Sequence, residues 1–312
     1  MKKYIFLWMC GCLWLGSEAL AQQIPVATLF VEDQFLFNPS VAGTDDGFKV
    51  RMDNRFQWMG FVDAPITNIL SAYGPHKKRN IGYGGTVGYD AAGPSGKFTM
   101  NGSFAANFAL GGATRLSTGI SFGFLQYRVD GTQLELDSPN DPDRQEDDYA
   151  PATMMSTFLP DAGAGVYLYH PNWYMGFSAL QLFNNNIKLS GQDSKRNRLK
   201  THFYGIAGYR IFLGENWMLE PAVLVKKVEA MPLQLDITAR VMFGGQFWGG
   251  VGTRNTFKSF EDLSFMVGYI HQKRLNIGIS YDYSTSPVQQ YTSGTVELVI
   301  GYNFDAIRSR DE

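Results

Sequence analysis

Between residues 98 and 110 the chain alternates without a break. Phe98, Met100, Gly102, Phe104, Ala106, Phe108 and Leu110 fall on one parity, and Thr99, Asn101, Ser103, Ala105, Asn107 and Ala109 on the other. A period of two describes a β-strand with two unlike faces, here one apolar and uncharged and one of small polar groups. A strand of a soluble sandwich has about five or six residues, whereas a tilted crossing of a bilayer needs roughly nine to eleven. The thirteen residues of this run suit the membrane.

The start of the chain has the layout of an export signal. Met1, Lys2 and Lys3 are followed by an apolar stretch over residues 4–15, and Ala19-Leu20-Ala21 supplies small residues for cleavage after Ala21. Met9-Cys10-Gly11 before Cys12 is a poor lipoprotein site, so a plain signal over residues 1–21 is expected. Both cysteines, Cys10 and Cys12, lie inside it, which leaves the mature chain without a disulfide or a thiol site. Beyond Ala21 there are 25 basic and 28 acidic residues, a net charge near −3, which is no footprint for nucleic acid. No later run of eighteen apolar residues suggests a spanning helix. An exported chain with 14% aromatics and 34 glycines is then a secreted β protein or an outer-membrane barrel.

Reading on by alternation predicts about fourteen antiparallel strands: residues 49–58, 67–73, 81–89, 98–110, 116–124, 161–169, 173–180, 203–211, 217–225, 233–243, 247–253, 263–269, 275–283 and 296–304. An even number is what a bacterial single-chain barrel requires. The charges supply stronger support. Arg51, Asp53, Arg55, Glu220, Lys226, Asp236, Arg240, Asp282 and Glu297 all take the parity opposite the apolar row. A Lys or Arg facing lipid at mid-membrane costs about 2–4 kcal/mol, and a wet lumen accepts it cheaply. The connections agree. Those after even-numbered strands are short turns such as Gly111-Gly112-Ala113 and Gly244-Gly245-Gln246, with residues 74–80 the long exception. Those after odd-numbered strands include the two longest, 130–160 and 181–201. Pro221 falls inside the ninth strand, where it deletes a ladder hydrogen bond, so a bulge or a shorter strand is expected there. The fold class that results is all-β, a transmembrane outer-membrane β-barrel. Residues 22–47 form an amino-terminal periplasmic or plug segment, 48–304 the barrel and 305–312 a periplasmic tail.

Three short stretches, Asn38-Pro39-Ser40-Val41-Ala42-Gly43, Arg55-Phe56-Gln57-Trp58-Met59-Gly60 and Ala64-Pro65-Ile66-Thr67, resemble the amino-terminal signature of the PorP/SprF family. The matching residues are Asn38, Pro39, Gly43, Arg55, Gln57, Trp58, Gly60, Pro65 and Thr67, and the later glycine-rich strands are similar too. The resemblance implies an outer-membrane barrel of the type IX secretion system and, in gliding species, a part in displaying surface adhesins. It implies no catalytic residue and no cofactor. Physically, Asn38-Pro39 suits a capped turn, and Gly43 permits a left-handed residue before the first strand. Trp58 suits an interfacial aromatic belt. Arg55 and Gln57, pointing inward, could hold residues 22–47 as a plug.

Other candidates for chemistry are weaker. Asp137, Asp141, Asp143, Glu146, Asp147 and Asp148 crowd the longest loop, but without the D-x-D-x-D-G order of a calcium loop. A solvated acidic loop that contacts a partner is the simpler reading. Lys195, Arg196, Arg198 and Lys200 form a basic run in the next long loop, suited to solvent, to lipopolysaccharide phosphates or to the acidic loop. His76, His170, His202 and His271 are isolated, with no pair at metal-ligand spacing. There is no G-x-S-x-G, and no serine–histidine pairing stands out. The expected function is therefore a non-enzymatic secretion component. Its expected partners are other type IX components, cargo with a carboxy-terminal signal domain, and outer-membrane lipid. An outer-membrane porin or hydrophobic-solute channel is the alternative.

Overall fold

The computed structural model describes residues 27–133, 153–187, 198–229, 231–256 and 259–306. The expected signal over residues 1–21, the acidic loop from Asp137 to Asp148, Lys195, Arg196 and the residues beyond Ala306 lie outside them. Fifteen strand segments form one antiparallel sheet. They are β1 Gly47–Phe56, β2 Ile66–Pro75, β3 Ile81–Ala92, β4 Ser95–Gly111, β5 Thr114–Asp130, β6 Met154–His170 and β7 Trp173–Leu180. Then follow β8 His202–Tyr209, β9 Ile211–Leu213, β10 Trp217–Val228, β11 Gln234–Phe243, β12 Phe247–Thr256, β13 Ser259–His271, β14 Leu275–Ser284 and β15 Thr295–Ala306. Strands adjacent in sequence pair throughout, except that β8 and β9 both pair with β10, and β15 returns to pair with β1, Arg55 opposite Glu297. The sheet closes, which removes the unpaired edges that hydrocarbon does not tolerate.

β8 and β9 are two parts of one wall strand. Both pair with β10 in a single register, Ala222 opposite Gly208 and Leu219 opposite Ile211, with a break at Arg210. The wall thus has fourteen strands. The break also corrects the expectation for Pro221. β10 is neither bulged nor short, and its ladder with β11 runs unbroken through Pro221 opposite Ala239. The interruption falls on the neighbouring strand instead, beside the proline, where a missing N–H leaves no donor for the ladder.

Strand alternation sorts the side chains radially. Leu70, Phe104, Phe122, Phe177, Val251 and Val267 are exposed on the outside, while Arg51, Asp53, Arg55, Glu220, Asp282 and Glu297 are buried inside. Among the described residues no helix is long and apolar enough to cross a membrane. Near the short-turn end, aromatic pairs pack in tilted and edge-on arrangements on the outer face. Ring centroids are 4.6 Å apart for Trp217–Phe243 and 4.8 Å for both Phe247–Tyr269 and Tyr302–Phe304, the texture of an interfacial belt.

At the loop end several strands run past the apolar pattern. β3 and β4 continue until only residues 93–94 connect them, because Asp90 and Lys97 face each other in register and form an ion pair at 3.2 Å. Alternation of apolar residues is blind to that extension. β4, β5 and β6 each have 17 residues and stand above the eight-residue β7. The chain after β7 folds against the uncovered edge of β6. Leu182 N donates to Ala162 O at 3.0 Å, Asn185 Nδ2 donates to Pro160 O at 2.7 Å, and Leu125, Leu159 and Leu199 pack beneath.

Candidate functional site

The lumen is occupied by residues 27–46, which precede β1 and have no periodic pattern of their own. The segment has a polar head and an apolar foot. In the head, the backbone N–H groups of Thr28 and Leu29 donate to the Glu297 carboxylate at 2.8 and 2.9 Å. Thr28 Oγ1 donates to Asp282 Oδ2 at 2.7 Å and accepts from Arg55 Nη1 at 3.1 Å and Arg254 Nη2 at 3.2 Å. Glu32 bonds to Arg240 and Asn276, and Ser71 donates to Asp33. Leu29 fills a small apolar gap with Trp248, Met266 and Val299.

The foot begins with two 3₁₀ turns, Gln34–Leu36 and Pro39–Val41. Asn38 caps the second, its Oδ1 accepting from Ser40 N at 2.9 Å. Its Nδ2 donates to Val166 O at 3.0 Å and to Phe177 O at 3.4 Å, so one side chain ties the segment to two wall strands. Phe30, Phe35, Phe37 and Val41 join Tyr73, Tyr167, Tyr174, Tyr204 and Leu224 in the largest buried cluster. The wall makes room by omission. A Cβ on Gly82 would lie 2.2 Å from Ala42 O, and one on Gly119 would lie 2.6 Å from Ser40 N. Gly43 turns the chain toward β1 with φ +74°.

The wall around the head is a lattice of opposite charges placed by cross-strand register. Arg55 Nη1 reaches Glu297 at 2.6 Å and Arg55 Nη2 reaches Asp282 at 2.7 Å. Arg254 bridges Asp236 at 3.0 Å and Asp262 at 2.7 Å, spanning β11, β12 and β13. Glu220 lies between Arg240 and Arg210, the latter at 3.1 Å. Inward parity identifies many of these charges from sequence alone. The partners Thr28 and Glu32 are missed because the leading segment lacks periodicity, and Arg254 lies just beyond the predicted end of its strand. Complementary charges at facing positions of adjacent strands would have flagged Arg254.

The signature residues divide into two groups. Asn38, Pro39, Gly43 and Arg55 belong to the segment and its contacts, and Thr67 lies on the upper lumen wall, donating to Asp90 at 2.8 Å. Gln57, Trp58, Gly60 and Pro65 lie at the rim. There Gln57 N donates to Pro65 O at 2.9 Å and Met59 N to Gly294 O at 2.8 Å. Trp58 is left-handed at φ 52° and packs on Phe61 at 6.3 Å. Of the basic run, Arg198 bonds Asn186 and Lys200 pairs with Glu229 at 3.0 Å.

Two cavities flank the segment. The one at the short-turn end, about 580 Å³, is lined by Glu32, Asp45, Lys49, Arg115, Tyr167 and Arg210 among others. The one at the loop end, about 120 Å³, is lined by Ala27, Phe37, Asp53, Asp90, Lys97 and Gln181 among others. Among the described residues no group of three His, Cys, Asp or Glu is arranged to hold a metal ion.

Solved structures with similar folds are outer-membrane channels. The toluene transporter TbuX of Ralstonia pickettii aligns with a TM-score of 0.52 at 9% identity, covering 91% of this chain and 95% of that one. The CymD monoaromatic hydrocarbon channel aligns with a TM-score of 0.50 at 12% identity, covering 91% and 94%. At such identities the likeness is one of fold. No match was found among curated protein sequences. Residues 19–302, nearly the whole chain, match the family described as type IX secretion system membrane protein PorP/SprF, and the chain belongs to that family.

Proposed function

We propose that this protein is a non-enzymatic outer-membrane component of type IX secretion that helps export or anchor a cell-surface protein, of the adhesin type in gliding cells. Family membership over residues 19–302 carries the reading. The filled lumen supports the manner of action. With residues 27–46 bonded to walls on β1, β2, β6, β11, β14 and β15, a polypeptide has no path through the barrel. Work on cargo then falls to the two ends, to rim loops outside and short turns in the periplasm. The partners are other secretion components, cargo with a carboxy-terminal signal domain, and surrounding lipid. In this reading residues 1–21 are a signal removed after Ala21, 22–47 the plug, 48–304 the barrel and 305–312 a periplasmic tail. The acidic loop from Asp137 to Asp148 and the rim residues Gln57, Trp58, Gly60 and Pro65 are contacts for a partner.

Deletion of the gene should abolish surface display of at least one secreted protein while leaving outer-membrane integrity unchanged. Affinity purification from gently solubilised membranes should recover secretion components. Normal display of all type IX cargo in the deletion strain would sink the proposal.

A further inference from the structure

The two halves of the lumen wall differ in chemistry, and residues 27–46 meet both. The foot, residues 34–43, lies on the tyrosine-rich side and is sunk into glycine-lined hollows at Gly82, Gly119 and Gly165. The head, residues 27–33, makes most of its polar bonds to charged or amide side chains on β1, β11, β12, β14 and β15, while Asp33 is held by Ser71 on β2 and Phe30 reaches into the apolar cluster of the foot. Water can replace every one of those bonds, and none of the glycine hollows. A permanent seal does not need this wall, since ion pairs in a dry interior are often no better than apolar residues of similar volume. Among the described residues Arg55 Nε, Thr238 Oγ1, Asn276 Oδ1 and Ser280 Oγ on this half are buried with no hydrogen-bond partner in the protein, as Ser40 Oγ, Ser117 Oγ and Tyr204 OH are on the other. Groups of this kind are expensive when dry and satisfied when wet. The cavity below the segment, at the Glu32 end of this path, has a largely polar lining, and the smaller one above it, at Ala27, places Asp53, Asp90 and Lys97 in a more apolar one.

We infer that residues 27–33 are a releasable gate hinged on the anchored foot, and that their displacement opens a passage along the charged half of the lumen for ions and small hydrophilic solutes. This activity goes beyond the secretion role and does not depend on it. The full-length protein in planar bilayers with potassium chloride should show a low mean current broken by brief openings. A variant lacking residues 27–33, with the foot intact, should carry a mean current at least tenfold higher, and liposomes containing it should swell in glucose. The double variant Thr28→Ala, Glu32→Ala leaves the barrel wall untouched and should open more often than wild type without changing the unit conductance. Heat-modifiable migration on gels verifies that each variant is a folded barrel. A folded deletion variant, or a folded double variant should the deletion not fold, that conducts no better than wild type would overturn the inference. So would a wild-type barrel that is steadily open.

Discussion

Arg254 shows how far a single residue commits the interior. Its guanidinium holds Asp236 and Asp262 at 3.0 and 2.7 Å and reaches Thr28 of the segment at 3.2 Å. Arg254→Gln should remove the cation shared by the buried Asp236 and the part-buried Asp262 and cost about 3–5 kcal/mol, read as a fall in the urea midpoint of heat-modifiable migration. Asn38 works without charge. Asn38→Ala removes the cap on Ser40 and leaves the carbonyls of Val166 and Phe177 without their side-chain donor, which should cost about 1–3 kcal/mol in the same titration. The two residues also differ in how visible they are in sequence. Asn38 stands before a proline, where a capped turn is written into local chemistry. Arg254 depends on what β11 and β13 place opposite it, and register is a property of pairs that no single strand displays.

Among the elements, the glycine-rich strands are the most instructive. Their small residues read from sequence as barrel texture, yet Gly82 and Gly119 are the floor on which residues 38–43 rest. Gly119→Ala should force the Ser40 backbone away, costing about 1–3 kcal/mol as an overpacking change and raising protease access to the segment. Gly102→Ala is the control. A Cβ there would meet its nearest atom at 3.9 Å, so the change should be neutral or stabilising by up to about 1 kcal/mol. Strand number and most boundaries at the short-turn end were legible because period two is strong wherever one face meets lipid. The loop ends were not. β4, β5 and β6 rise beyond the apolar band, where pairing continues through Asp90, Lys97 and Arg128 and the hydrophobic signal has already stopped. The leading segment was illegible for the opposite reason. It carries apolar residues in abundance, but its conformation is dictated by the cavity that encloses it.

For the whole molecule, the radial sorting of side chains has a direct test. Phe122 is 59% exposed on the outer face of β5, and Ser121 beside it is buried inside. Phe122→Arg should cost about 2–4 kcal/mol if that face meets the bilayer core, whereas a rim site such as Val62→Arg, 89% exposed, should be near neutral. Refolding into lipid vesicles, followed by gel shift, separates the two. The seam between β1 and β15 carries a further implication for assembly. The first wall strand meets the last, Gly47 beside Ala306, and Glu297 on β15 also clasps the amides of Thr28 and Leu29. A chain still emerging therefore cannot complete the fastening of its leading end until almost all of it has been made. A product truncated ahead of Thr295 would lack β15 and be left as an open, unbuttoned ribbon.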